Sequence, residues 1–176
     1  MVSVETGHTA RVPAEVLAQG RGLMADSFNN YSDDDWTHAL GGEHAWIVED
    51  GRLVAHGSVV QRHCYLGEEL RVLRVGYVES VAVHPDRQRR GLGSAVMAAL
   101  EALAPAYDLL ALSASSKGRL LYDARGWVPW RGTLHVLAPS GRTHLPEEEG
   151  GVMVLGHAGI DLDAPLTCDW REGDVW

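Results

Sequence analysis

The sequence predicts a mixed α/β domain, a central and mostly antiparallel mixed sheet flanked by helices, on three observations. Apolar runs separated by Glu49-Asp50-Gly51-Arg52 and by Gly67-Glu68 read as successive hairpins. A long apolar strand ending near Val83 then meets a glycine-punctuated turn and an alanine-, leucine- and methionine-rich run, so a strand feeds a helix. The 176 residues, 45% hydrophobic and 22% charged, are enough for one domain with a full core, spanning 1–176.

Residues 3–12 read as a first strand, and Pro13, a favourable first-turn residue, opens a helix to about Phe28. Residues 29–42 form a polar, acidic stretch with a short helical piece near Asp35-Trp36. Strands follow over 44–48 and 53–63, and a long one over 70–83, as an antiparallel meander. His84-Pro85-Asp86 stops that strand and a helix covers 92–104. The run 109–113 is an apolar strand, and 117–124 is a helix ended by Arg125-Gly126. The last third has strands near 135–137 and 152–155 and then an acidic tail.

Several function classes are excluded at this stage. The start, Met1-Val2-Ser3-Val4-Glu5, has no basic region followed by an apolar run, and no stretch approaches the roughly 18 apolar residues of a membrane span. The expectation is a cytoplasmic protein without membrane contact. Cys64 and Cys168 are too few and too far apart for a disulfide framework, and none of the nine histidines has metal-ligand spacing, so no metal is expected. A net charge of −9 argues against nucleic acid and suits a cationic substrate, although an acidic excess also serves solubility.

The segment from Val78 to Ser94 carries the chemistry. Gly91 and Gly93 let backbone approach an anion, a helix start attracts negative charge, and Arg87, Arg89 and Arg90 add positive charge. Gly91-Leu92-Gly93 lacks the third glycine of a dinucleotide fingerprint, and no Lys-Ser or Lys-Thr follows as a phosphate loop requires. What remains, Gln88-Arg89-Arg90-Gly91-Leu92-Gly93, resembles the Q/R-x-x-G-x-G/A signature of the GNAT superfamily of acyl-CoA-dependent N-acetyltransferases. The resemblance implies the GNAT fold, acetyl-CoA as co-substrate with its pyrophosphate on this turn, and a pantetheine arm paired with the backbone of Val81, Ala82 and Val83.

Acetyl transfer needs a neutral amine, a polarised carbonyl and a proton for the departing thiolate. Glu79 interrupts the apolar strand beside the acetyl-binding backbone, where it would accept the amine's proton through water; the plain alternative is a solvent-facing strand residue. The Val81 amide is the natural oxyanion donor. Leu120-Leu121-Tyr122-Asp123-Ala124-Arg125-Gly126-Trp127 resembles the segment in which these enzymes carry a tyrosine acid, implying that role for Tyr122 rather than that of a core tyrosine.

The C-terminal Leu166-Thr167-Cys168-Asp169-Trp170-Arg171-Glu172-Gly173-Asp174-Val175-Trp176 is similar to that of the aminoglycoside 2′-N-acetyltransferases. The likeness extends through Asp35-Trp36-Thr37-His38-Ala39-Leu40-Gly41-Gly42, Gly76-Tyr77-Val78-Glu79 and Arg125-Gly126-Trp127-Val128-Pro129-Trp130. It implies an antibiotic-resistance enzyme whose drug contacts fall on Asn30, Asp35, Glu79, Ser80, Ser113, Glu147, Glu148, Asp174 and Trp176. A terminal carboxylate on Trp176 competes with Glu79 as the catalytic base. Two departures bear on drug preference: Asn30 stands where relatives carry aspartate, and Glu147 and Glu148 stand where aspartates are expected. Many relatives are homodimers, and no interface is legible here. Two other readings stay open: an N-acetyltransferase for a polyamine, a peptide or a cell-wall amino sugar, and a non-catalytic module that binds drug or acetyl-CoA.

Overall fold

The computed structural model describes residues 3–176; Met1 and Val2, part of the N-terminal stretch read above, lie outside the described residues. The chain forms two compact units, Met1–Val60 with Val78–Leu103, and Gln61–Tyr77 with Ala104–Trp176.

In the first unit, strand β1 (Glu5–His8) runs antiparallel to β2 (Glu43–Glu49), which pairs antiparallel with β3 (Arg52–Leu66). Asp50 and Gly51 join β2 to β3 with φ of 51° and 76°, the two positive values that a tight hairpin turn requires. β3 in turn pairs with β4 (Arg71–Val83). The first strand is shorter than the expected 3–12, because the chain leaves the sheet at Thr9, whose hydroxyl accepts from the Gly41 amide at 2.8 Å.

Helix α1 (Ala14–Ser27) starts behind Pro13 as expected. Helix α2 (Asp33–His38) is held by a reciprocal cap, in which Ser32 accepts from the Asp35 amide and the Asp35 carboxylate accepts from the Ser32 amide. These helices bury Leu23, Met24 and Trp36 with Trp46, Leu53 and Ala82 in one apolar cluster. Helix α3 (Leu92–Glu101) packs on β2 and crosses β3 at Gly57, where a Cβ would lie 3.0 Å from Leu100 and 3.2 Å from Val81. A small residue at 57 thus lets the helix approach the sheet.

In the second unit, β5 (Leu109–Ser113) pairs parallel with β4 over Val75–Tyr77, and β9 (Val152–Leu155) pairs antiparallel with β5. A two-residue strand, β6 (Val128–Pro129), borders β9. On the other side, β7 (Leu134–Ala138) forms a hairpin with β8 (Gly141–His144), and β10 (Leu166–Asp169) lies between β7 and β3, parallel to the first and antiparallel to the second. Helix α4 (Arg119–Asp123) follows β5.

The expected acidic tail is preceded by a strand that the sequence reading did not place, the buried β10. Over four residues β10 shows neither a long alternation nor the continuous apolar run that marked Val152–Leu155, and β6, of two residues, and the polar β8 escaped for similar reasons. The distance in sequence between Cys64 and Cys168 also hid that they face each other as free, buried cysteines across β3 and β10. Among the described residues no helix is long and apolar enough to cross a membrane, and no group of His, Cys, Asp or Glu is arranged to hold a metal.

Candidate active site

In the first unit, β4 ends at Val83, a single turn of 3-10 helix covers Pro85–Arg87, and α3 begins after Gly91. Gly91 has φ 81° and open space around the position of a Cβ, and no side chain caps the helix. The first-turn amides therefore have no intrahelical partner and keep their capacity for an anion. Arg89 is left-handed at φ 59°, and Arg89 and Arg90 are both exposed. The turn fits a diphosphate on conformation and charge alike. Gln88, exposed, folds back on its own strand and donates to the Val83 carbonyl at 3.2 Å. Arg87, expected to add positive charge to the turn, has that charge already matched: Glu49 accepts from it at 2.8 Å and Asp86 lies 3.4 Å away. Val78–Val83 has β3 along one side, and among the described residues no strand of its own unit pairs its second edge, which leaves backbone for an extended arm.

Just upstream, Ser80 takes φ 51° within β4, a left-handed conformation for which it is not built. Its hydroxyl is 2.7 Å from the Tyr31 hydroxyl, and its carbonyl is 3.0 Å from His56 Nδ1. Glu79 beside it is half-buried. Burial pushes the Tyr31 phenol up to about 12; the Ser80 hydrogen bond works against this, and the negative charges of Glu79 and Asp35 add to it. Tyr31, Ser80, Glu79 and Asp35 are therefore electrostatic neighbours. Asp35 is already engaged by the Ser32 amide and hydroxyl, both at 2.8 Å, while Asn30 is exposed with φ 62°.

In the second unit, α4 presents Tyr122, 7% exposed, whose ring lies against Trp127 at 6.1 Å between centroids. Burial alone pushes its phenol up to about 12, so it holds its proton throughout the neutral range. Gly118 makes room for the ring, since a Cβ there would stand 3.0 Å from it.

Glu148 is half-buried, and its carboxyl is raised by burial, then by the charges of Asp174 and Glu147. Three expected substrate carboxylates thus share one electrostatic environment. Ser113 ends β5, exposed. The fraying alternative for the tail gives way to a built anchor: Arg62, 4% exposed, donates to the Val175 carbonyl at 2.7 Å and to both the carboxylate and the carbonyl of Asp169. Arg62 also lies 4.8 Å from the Tyr77 ring centroid, and Trp176 packs on Tyr77 at 6.5 Å. Trp176 is 4% exposed, and its indole N–H has no hydrogen-bond partner among the described residues.

Sequence reasoning did not single out Tyr31 and His56, which hold Ser80 in the first unit, or Arg62, which holds the tail in the second. Arg62 did carry a signal: it alternates with the polar Gln61 and His63 and so falls on the same face as the apolar Val60 and Cys64.

The comparisons with known proteins fit this picture. Residues 17–127 match the model of the acetyltransferase (GNAT) family. Among solved structures, an acyl-CoA N-acyltransferase from Pseudomonas aeruginosa shares the fold at a TM-score of 0.61 and 18% identity, covering 88% of this chain and 99% of that one. A GCN5-related N-acetyltransferase from Ralstonia eutropha JMP134 does so at a TM-score of 0.54 and 16% identity, covering 73% and 94%. The chain is 47% identical to the aminoglycoside 2′-N-acetyltransferase of Mycolicibacterium fortuitum over 96% of its own length and 89% of that protein's. It belongs to the GNAT family of acetyltransferases and, within it, to the family of the aminoglycoside 2′-N-acetyltransferases.

Proposed function

We propose that this single-domain enzyme acetylates the 2′-amino group of aminoglycoside antibiotics by direct attack in a ternary complex, and so confers resistance. The carrying observation is the 47% identity to the M. fortuitum enzyme over 96% of the chain, which spans the site groups of both units.

Acetyl-CoA supplies the thioester when bound. Gln88, Arg89, Arg90, Gly91, Leu92 and Gly93 would hold its pyrophosphate, and Val81, Ala82 and Val83 its pantetheine arm; the uncapped start of α3 supports this. Glu79 takes the proton of the attacking amine through water, which leaves the nitrogen lone pair free to form the new amide bond. The Val81 amide donates to the developing oxyanion. Tyr122 gives its proton to the departing thiolate, and its raised affinity for that proton keeps it in the donating form at working pH. Glu147, Glu148 and Asp174 neutralise the drug's other ammonium groups, with Asn30, Asp35, Ser80, Ser113 and Trp176 completing the contacts.

Thiol release decides the matter. The chain should turn over drugs with a 2′-amine and fail on 2′-hydroxyl analogues, product mass giving one added acetyl group. Turnover of polyamines or amino sugars with none on 2′-amino drugs would replace the drug by another cationic amine. No turnover at all, with acetyl-CoA still bound, would leave a binding module.

A further inference from the structure

Behind the Ser80 turn lies a buried row of polar groups that acetyl transfer does not itself call for. His56 and His44 are each fully buried, with His44 Nδ1 2.9 Å from His56 Nε2 and the two rings 5.2 Å apart. Thr9 Oγ1 lies 2.7 Å from His44 Nε2, and the Gly41 amide donates to that oxygen at 2.8 Å. The row is flanked by Trp36, 5.6 Å from the His56 ring, which Gly20 admits, since a Cβ there would meet Trp36 at 2.9 Å.

The end groups determine the proton positions along this row. The Ser80 carbonyl only accepts, so His56 Nδ1 carries the proton. Burial holds both rings neutral, His56 and His44 each lowered to about 4, so His56 Nε2 is bare and accepts from His44 Nδ1–H. His44 Nε2 is then bare too, and the Thr9 hydroxyl donates to it rather than to the Gly42 carbonyl at 3.2 Å. Every bond points the same way, from the Gly41 amide to the Ser80 carbonyl, and each strengthens the next. A carbonyl has no proton to give up, so the row is no conduit for protons; what it acts on is the backbone of Ser80.

We propose that His56 and His44 are positioning residues for acetyl transfer: the one-way chain Gly41–Thr9–His44–His56 holds Ser80 in its left-handed conformation and thereby aims the flanking Glu79 side chain and Val81 amide. The proposal rests on the roles given to Glu79 and Val81 above. A left-handed serine persists only where its surroundings over-determine it, and Ser80 is held at both its carbonyl and its hydroxyl.

The test has two arms. Nitrogen-15 NMR of the full chain at pH 7 should show both rings neutral with the proton on Nδ1, the rarer form of free histidine; an Nε2–H or a charged ring at either position overturns the chain. In the kinetic arm, His56→Leu should lower kcat by about 10- to 100-fold, as sub-ångström misplacement does, with acetyl-CoA affinity within about two-fold of wild type. His56→Asn, which keeps a donor for the Ser80 carbonyl, should recover kcat to within about three-fold of wild type. Thr9→Val at the half-exposed end should cost about three- to ten-fold and Thr9→Ser should restore it. The proposal fails if Asn is no better than Leu, if kcat is unchanged in a folded His56→Leu protein, or if acetyl-CoA binding falls in step with kcat. Should His56→Leu not fold, the Thr9 pair and the NMR arm decide. Absent turnover in the wild type would defeat the proposed function, while the ring assignments would still stand or fall by themselves.

Discussion

Arg62, buried between the exposed Gln61 and His63, donates a 2.7 Å hydrogen bond to the Val175 carbonyl, so one guanidinium fixes the tail that carries Asp174 and Trp176. Burial works against its charge, but Tyr77, Asp169 and the two thiols outweigh that and hold its pKa above the ordinary value. Arg62→Ala would leave the Val175 and Asp169 carbonyls without their donor and should destabilise the fold by roughly 1–3 kcal/mol in urea unfolding, the half-exposed Asp169 carboxylate being able to turn to water. Arg62→Lys keeps the charge and loses the fork, so drug KM should rise by about ten-fold or more while acetyl-CoA affinity is unchanged. Unaltered drug KM in the lysine variant would remove the tail from substrate binding.

Gly91 separates strain from charge at the turn proposed to hold the pyrophosphate. With open space about its Cβ position and φ 81°, Gly91→Ala meets only the backbone penalty, about 1 kcal/mol, and should weaken acetyl-CoA by less than about ten-fold. Gly91→Asp adds a negative charge where the amides converge and should abolish measurable binding in calorimetry. Equal affinities for the two variants would show that phosphate does not lie there.

Tyr122→Phe deletes the proposed acid and keeps the ring; kcat should fall about 10²- to 10⁴-fold in a protein that unfolds at the wild-type temperature. Because the phenol is pushed up to about 12, its ionisation should add no alkaline limb to the kcat profile below about pH 11. A wild-type kcat in the phenylalanine variant would return Tyr122 to the core.

The carboxylate group offers a pH experiment. Glu148 is raised by burial, Asp174 and Glu147, so it begins to lose its charge at a higher pH than an ordinary glutamate as the solution is acidified. Asp174→Asn removes one of those repulsions. Drug affinity should then be lower at neutral pH, and its acid limb should move to lower pH; a limb that stays put would dissociate Glu148 from the substrate.

The histidine pair should mark the stability profile as well. Unfolded rings bind protons near 6.5, whereas folded His44 and His56 do so only at about 4, through burial, with His56 and His8 adding their repulsion at His44. Between those values the unfolded chain holds more protons, so the pair's contribution is complete above about pH 6.5 and is lost as pH falls through 4. The loss is on the order of 3 kcal/mol for each ring, with the coupling between the rings keeping the pair's total below twice that. His56→Asn should flatten the difference in urea stability between pH 6.5 and 4, the carboxylate background being common to both proteins.

These features differ in how far the sequence disclosed them. Gln88–Gly93, the strand Leu109–Ser113 and the helix that carries Tyr122 are local: glycine, a continuous apolar run and a helix stop are written within a few residues of where they act. Ser80 gave no warning of its left-handed turn because no glycine marks it, the conformation being imposed by His56 and Tyr31 from distant strands and loops. Arg62 with Val175 and Cys64 opposite Cys168 depend on where β10 docks, and a four-residue strand has too little pattern to reveal its neighbours.

The position of β10 also has a kinetic side. It pairs with β3 and β7, and its partner residues on β3 lie far earlier in the chain, as Leu166 opposite Leu66 illustrates. Until β10 is in place, both neighbours keep an open edge made of buried-type residues, a template for pairing with another molecule. The closing of so long a loop comes late and slowly. Refolding at high protein concentration should therefore lose material to aggregation before this strand docks, and nascent chains should be most vulnerable in the interval between the emergence of β7 and that of β10.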